Sequence, residues 1–210
     1  MYNGVHNINE RLLVQHNKKI LIIDEETLKK YNEFMECHFD TEEDRFAFEW
    51  SAAANRCDDN NWGDPTNYNR GGEIIIANIL GFTIAPTKSG ADGFDTEDRG
   101  VEFKSTIQPK LQATYNGISN KDTWPEQEKY LREEKIGKYH MHYLARVEKG
   151  FPVELWVMPA TKVLDILIPK VKRQFYGLQE KLENGKIPAD PRFGVSLTEK
   201  EIKKYGVKLI

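Results

Sequence analysis

Apolar and polar positions change period several times along the chain, and each change marks an element. "RLLVQHNKKILII" (11–23) holds two short apolar runs around Asn17-Lys18, which predicts two short strands about a polar turn. Asp24 is placed to cap a helix reaching to about residue 38, with Glu25 and Glu26 in its first turn. "TEEDRFAFEWSAAANR" predicts a second helix, capped by Asp40 or Thr41 and again acidic where it starts. "CDDNNWGDPTNYN" reads as loop by its composition. "RGGEIIIANILG" predicts a short helix closed by Gly81 in the left-handed conformation.

Further on, residues 91–95 and 101–107 are short candidate strands, with "TEDRG" as the reversal between them. "WPEQEKYLREEKIGKY" (124–139) predicts a helix, with Pro125 suited to its first position and Glu126 to its positive end. "MHYLARVEKGFPVELWVM" predicts a β-hairpin across Lys149-Gly150. "TKVLDILIPKVKRQFYG" predicts a helix kinked or split at Pro169. "ADPRFG" reads as a turn and "SLTEKEIKKYG" as a short capped helix. This order implies an α/β or α+β fold with a mixed sheet flanked by helices. With no repeat, low-complexity tract or long linker, residues 1–210 form one domain, with helical additions at about 24–56.

Composition narrows the class. Of 210 residues, 39% are hydrophobic and 30% charged, a soluble globular balance that supports one core. No apolar run is long enough to cross a bilayer, and "MYNGVHNINE" lacks the basic start and apolar stretch of a secretory signal. Cys37 and Cys57 are too few for a disulfide framework, so a reducing, cytoplasmic setting is expected. The net charge of −3 does not by itself point to nucleic acid. Local charge decides that question, and Lys and Arg gather in 121–138, 162–173 and 200–208.

The chemistry concentrates in "SGADGFDTEDRGVEFKST" (89–106). On a strand over "VEFKST", Val101, Phe103 and Ser105 share one face, while Glu102, Lys104 and Thr106 share the other. If 91–95 pairs with 101–105, Asp92 comes alongside Glu102. Facing carboxylates repel unless a cation lies between them. Mg²⁺ accepts such hard oxygen ligands and polarises a phosphoryl oxygen, and a lysine beside it orients or activates the attacking water. Asp95 is the rival to Asp92, and Glu97 and Asp98 read as turn residues. A solvated strand pair at Glu102 and Lys104, and a plain first-turn acid at Glu73, are the bland alternatives.

Asp92 and "Glu102-Phe103-Lys104" resemble the signature of the PD-(D/E)XK nucleases, and "GADGFD…VEFKST" is similar to the type II restriction endonucleases among them. Ala91 stands where the family name has proline, a common departure. The resemblance covers roughly residues 70–106. It implies a restriction-endonuclease-like core and Mg²⁺-dependent hydrolysis of double-stranded DNA leaving a 5′-phosphate, with Mn²⁺ as a substitute ion. It implies Asp92, Glu102 and the Phe103 carbonyl as metal ligands, Lys104 as the catalytic lysine, and helical Glu73 as an assisting carboxylate. Site-specific cutting would bring a homodimer and a cognate DNA methyltransferase in the host. A structure-specific repair, recombination or phage nuclease is the alternative within the fold, and a non-catalytic DNA-binding domain is the alternative outside catalysis.

"STIQPKLQATYNGISNKDTW" (105–124) is rich in amides, hydroxyls and lysines, which makes Lys110, Gln112, Asn116, Ser119 and Lys121 candidate DNA contacts. "NNWGDPTNYNR" (60–70) is a second such stretch. His140 and His142 form an H-x-H without an evident third ligand, which favours a structural role. The two cysteines read as buried, and Trp50, Trp62, Trp124 and Trp156 as core or part-core. The chain has no nucleophile-elbow serine, Walker loop or dinucleotide glycine pattern.

Overall fold

The computed structural model describes residues 25–86, 90–186 and 188–210. The strands expected in 11–23 and the Asp24 cap lie outside them. Helix α1 spans Glu25–His38 and α2 spans Glu42–Asp59. Thr41, not Asp40, caps α2: its side chain accepts the Asp44 N–H at 3.1 Å. Part of the expected loop 57–69 is helical. Helix α2 continues to Asp59, where Asn60 Nδ2 donates to the Arg56 carbonyl, and Asn67–Asn69 form a 3₁₀ turn. Helix α3, Arg70–Leu80, ends at Gly81 with φ of 67°, as its sequence predicts.

The central sheet has six strands: β1 (Thr83–Ile84), β2 (Gly93–Phe94), β3 (Gly100–Thr106), β5 (Met141–Glu148), β6 (Phe151–Pro159) and β8 (Val207–Lys208), in the order β1-β2-β3-β5-β6-β8. The β3–β5 pair is parallel and the other pairs are antiparallel, so the sheet is mixed. The expected strand at 91–95 shrinks to Gly93–Phe94, because Asp95 turns the chain into the reversal. Strands β5 and β6 form the expected hairpin, and Lys149 and Gly150 both take the positive φ of a two-residue turn. Strands β4 (Gln112–Ile118) and β7 (Phe193–Thr198) make a separate two-stranded sheet. In β7 the residues Ser196–Thr198, expected at the start of a helix, are extended, and Thr198 then caps α6 (Glu199–Tyr205).

Helix α4, Trp124–Tyr130, has a full capping box from Thr123 and Glu126. It passes into a π turn at Leu131–Lys135 and stops short of residue 139. The N–H groups of Ile136 and Gly137 both donate to the Leu131 carbonyl, which closes the end. Helix α5, Ala160–Glu183, is not split at Pro169 but runs continuously through it. Pro169 lies on the exposed side, and the buried stripe of Val163, Leu167, Val171, Phe175 and Leu178 runs past it.

The sheet separates two cores. Ile76, Ala77, Ile79 and Leu80 of α3 pack on Val101, Phe103, Tyr143, Ala145 and Leu155. On the other face Leu144 and Met158 pack with α5 and the buried side of β4–β7. The protein is therefore α+β, a mixed central sheet flanked by helices. Outside these layers α1 and α2 expose Phe34, Phe46 and Trp50, and Cys37 is also exposed. Trp50 and Cys37 thus depart from the buried positions expected of them, because few residues of the sheet layers reach these helices. No described helix is long and apolar enough to cross a membrane.

Candidate functional site

Strand alternation and hairpin register build the site. Val101 and Phe103 sink into the α3 core, which turns Glu102 and Lys104 to the other face of β3. Burying the Phe103 ring contributes about 2–3 kcal/mol and fixes that orientation. Gly93 pairs with Val101 and Phe94 with Gly100, so the same register sets Asp92 opposite Glu102. Asp92 is further held by its N–H to the Val101 carbonyl at 3.1 Å, while its Oδ2 accepts the Phe103 N–H at 2.8 Å.

The Lys104 ammonium lies among three oxygens. It donates to Glu102 Oε1, lies 3.1 Å from the Phe103 carbonyl oxygen, and is 3.8 Å from Asp92 Oδ2. Burial opposes its charge, but Glu102, Asp92 and Glu73 outweigh burial and hold Lys104 above its ordinary value. Burial, with Asp92 beside it, raises Glu102. Lys104, and to a lesser degree Lys135 of the π turn, offset part of that rise.

Glu73 reaches the same field from α3. Burial, then the Asp92 charge, push its carboxyl up to about 7 against the pull of Arg70 and Lys104. Arg70 is a residue that strand and motif reasoning missed. Its guanidinium donates to Glu73 Oε2 at 2.9 Å, to the Trp62 carbonyl at 2.5 Å, to the Asp92 carbonyl at 3.5 Å, and to the Ala85 carbonyl. It ties the loop, α3 and the β1–β2 edge into one frame. Its position at the start of α3, three residues before Glu73, was the available signal.

Asp95 has a different environment. Its Oδ1 accepts the N–H groups of Glu97 and Arg99, and its Oδ2 accepts from Arg99 Nε at 2.9 Å. Burial alone would raise it, but those bonds hold it below the usual carboxylate range. Asp95 organises the reversal, with Asp98 at φ of 61°, while Asp92 faces Glu102 and Lys104.

A buried ring lies against Lys104, and a second buried side chain holds that ring. The Lys104 ammonium lies over the Tyr115 ring of β4, 5.7 Å from the centroid. The Tyr115 hydroxyl is 2.9 Å from His142 Nδ1, and His142 Nε2 is 3.1 Å from the Ile136 carbonyl oxygen. Burial, with Lys104 nearby, pushes His142 down to about 3, so the ring is neutral. His140 is exposed, and the H-x-H is not a paired site. Among the described residues no three His, Cys, Asp or Glu side chains converge as a metal cage.

The five candidate DNA contacts scatter. Gln112 and Asn116 are on the exposed side of β4, opposite buried Tyr115. The Gln112 amide is engaged with Thr114 and Ser196 hydroxyls at 3.1 and 3.3 Å. Lys110 is exposed beside β4. Exposed Ser119 and half-buried Lys121 flank a turn clamped by Gln127, which donates to the Ser119 carbonyl and accepts the Lys121 N–H. The Lys121 ammonium rests 4.4 Å from the Tyr130 ring centroid. From the second stretch, Asn69 donates to Ser105 Oγ and joins the end of that loop to β3. The sequence matches no protein-family model and no curated protein.

Proposed function

We propose that the chain is a Mg²⁺-dependent endonuclease of double-stranded DNA, with a restriction-endonuclease-like core. The observation that carries the reading is the position of the Lys104 ammonium, between Glu102, Asp92 and the Phe103 carbonyl. These are hard oxygen donors, and they already tolerate one positive charge among them. That fits a divalent ion held by Asp92, Glu102 and the Phe103 carbonyl. When bound, the ion would polarise a phosphoryl oxygen of the scissile group.

The chain's own groups supply the rest. Lys104 gives a hydrogen bond to the attacking water and positive charge beside the phosphate. Glu73, raised to about 7, accepts a proton near neutral pH. Arg70 keeps Glu73 and the Asp92 backbone in register. Site-specific cutting of palindromic DNA by a homodimer is the version we favour, as in the type II restriction endonucleases that "GADGFD…VEFKST" resembles.

Digestion of a sequenced plasmid with Mg²⁺ or Mn²⁺, followed by end mapping, tests the reading. Discrete fragments with 5′-phosphate ends are expected. Lys104→Ala should lower cleavage by at least about 10³-fold and leave DNA binding within about threefold. A wild-type chain that binds DNA and cuts none of it would overturn catalysis. Cutting confined to mismatches, junctions or single strands would replace site-specific restriction with structure-specific repair.

A further inference from the structure

The geometry points to Tyr115 as a positioning residue for Lys104, with its ring as the wall behind the ammonium and His142 as the anchor of that ring. This inference rests on the reading of Lys104 as the lysine of a nuclease site.

Lysine has a long, freely rotating stem, and a point charge at its end is fixed only by what surrounds it. Carboxylates and a carbonyl hold the Lys104 ammonium on one side. A further contact comes from a different sheet, where Tyr115 of β4 sets its ring under the ammonium at 5.7 Å from the centroid. An aromatic face carries partial negative charge and attracts a cation at that range. The approach therefore has a direction, with the ring below and the oxygens beside.

The ring itself is fixed by a relay. The Ile136 carbonyl can only accept, so His142 Nε2 carries the proton and Nδ1 presents a lone pair. The Tyr115 hydroxyl then donates to Nδ1 at 2.9 Å. Both side chains are buried, at 3% and 0% exposure, which leaves water little part in that bond. His142 is also the register partner of Glu102 across β3 and β5. One rung of the sheet thus carries both the carboxylate that grips the ammonium and the anchor of the ring beneath it. Any strand shift moves both together.

Three variants and two readouts test the proposal. ¹³C-labelled lysine in the full chain, with the signal assigned by its loss in Lys104→Arg, reports the ε-methylene protons of Lys104. Those protons should resonate upfield of an exposed lysine in wild type, move part of the way back in Tyr115→Phe, whose ring has lost its bond to His142, and return to the exposed value in Tyr115→Leu. Cleavage kinetics form the second arm. Tyr115→Leu should lower kcat by about 30-fold or more, with KM within about twofold, because misplacing a reacting group costs turnover rather than binding. Tyr115→Phe keeps the ring but removes its bond to His142, so its loss should fall between wild type and Tyr115→Leu, at about three- to tenfold.

A wild-type ε signal at the exposed value overturns the proposal whether or not any variant folds. So does a folded Tyr115→Leu protein that keeps wild-type kcat. If wild type shows the upfield signal but cuts no DNA with Mg²⁺ or Mn²⁺, the nuclease reading fails alone. The signal in Tyr115→Leu then decides the wall: its return to the exposed value supports the contact, and its persistence removes it.

Discussion

Arg70 illustrates how one side chain can hold distant segments together. Its guanidinium is bonded to the Trp62, Ala85 and Asp92 carbonyls and to Glu73, and both members of the ion pair are largely buried. Arg70→Met would leave a buried carboxylate and the Trp62 and Ala85 carbonyls without this donor, while the Asp92 carbonyl would keep the Ala85 N–H. We expect a loss of about 3 kcal/mol in urea unfolding. An unchanged unfolding midpoint would show that the frame does not depend on it. Glu73 gives a second expectation, in pH. Burial and Asp92 raise its carboxyl from 4.5 to about 7, so the folded chain holds this proton more tightly than the unfolded chain. Between those values the native state keeps a proton the unfolded state has released. The stability from this group is full below about 4.5 and is lost as pH rises through about 7. Unfolding at several pH values should show wild type falling across that window relative to Glu73→Gln. Parallel curves would contradict the shift.

At the scale of elements, β2 is short and closely flanked. A Cβ on Gly93 would meet the Phe103 ring at 2.8 Å and the Thr83 carbonyl oxygen at 2.9 Å. Gly93→Ala must therefore push apart β1 and the buried ring, with a cost of about 2 kcal/mol. The adjoining Asp92 would move with it, so the variant should lose DNA cleavage in excess of its loss in thermal stability. Cleavage that merely tracks stability would count against the coupling. Elements with local signals were legible in the sequence: the α3 helix with its Gly81 end, the β5–β6 hairpin, and the capping acids. Asp92, Glu102 and Lys104 could be grouped for the same reason, since alternation and one hairpin register fix them. Strand β7 had the right alternation, with Phe193, Val195 and Leu197 buried, but its helix cap follows at once and drew Ser196–Thr198 into the helix reading. Its partner β4 looked like polar loop because one face is open to water. Tyr115 and His142 were out of reach for another reason. They are 27 residues apart on different sheets, and no local period records that contact.

At the scale of the whole molecule, the charged pair sits between layers rather than on an outer rim. Glu102 and Lys104 face the side of the sheet that carries β4–β7 and α5, while the ring between them in sequence anchors the α3 side. The outermost strands of the central sheet, β1 and β8, are two residues each, and β8 covers only Trp156 and Val157 of β6. The parallel neighbours β3 and β5 also set an order in time. All of residues 107–140, with β4 and α4 among them, must be closed into a loop before Glu102 meets His142 across the ladder. Loops of that length are slow to close, and the contacts they allow come late in folding. Once formed, the ladder opens only with the core on both sides of it. The amide proton of Lys104, which alternation turns toward β5 while that of Phe103 goes to Asp92, should therefore exchange with deuterium as slowly as the slowest in the chain, through global unfolding. Faster exchange there would mean that the centre of the sheet opens by itself. A site built this way is absent from any form of the chain in which the β3–β5 ladder is open, so any cleaving activity would appear only after that ladder closes.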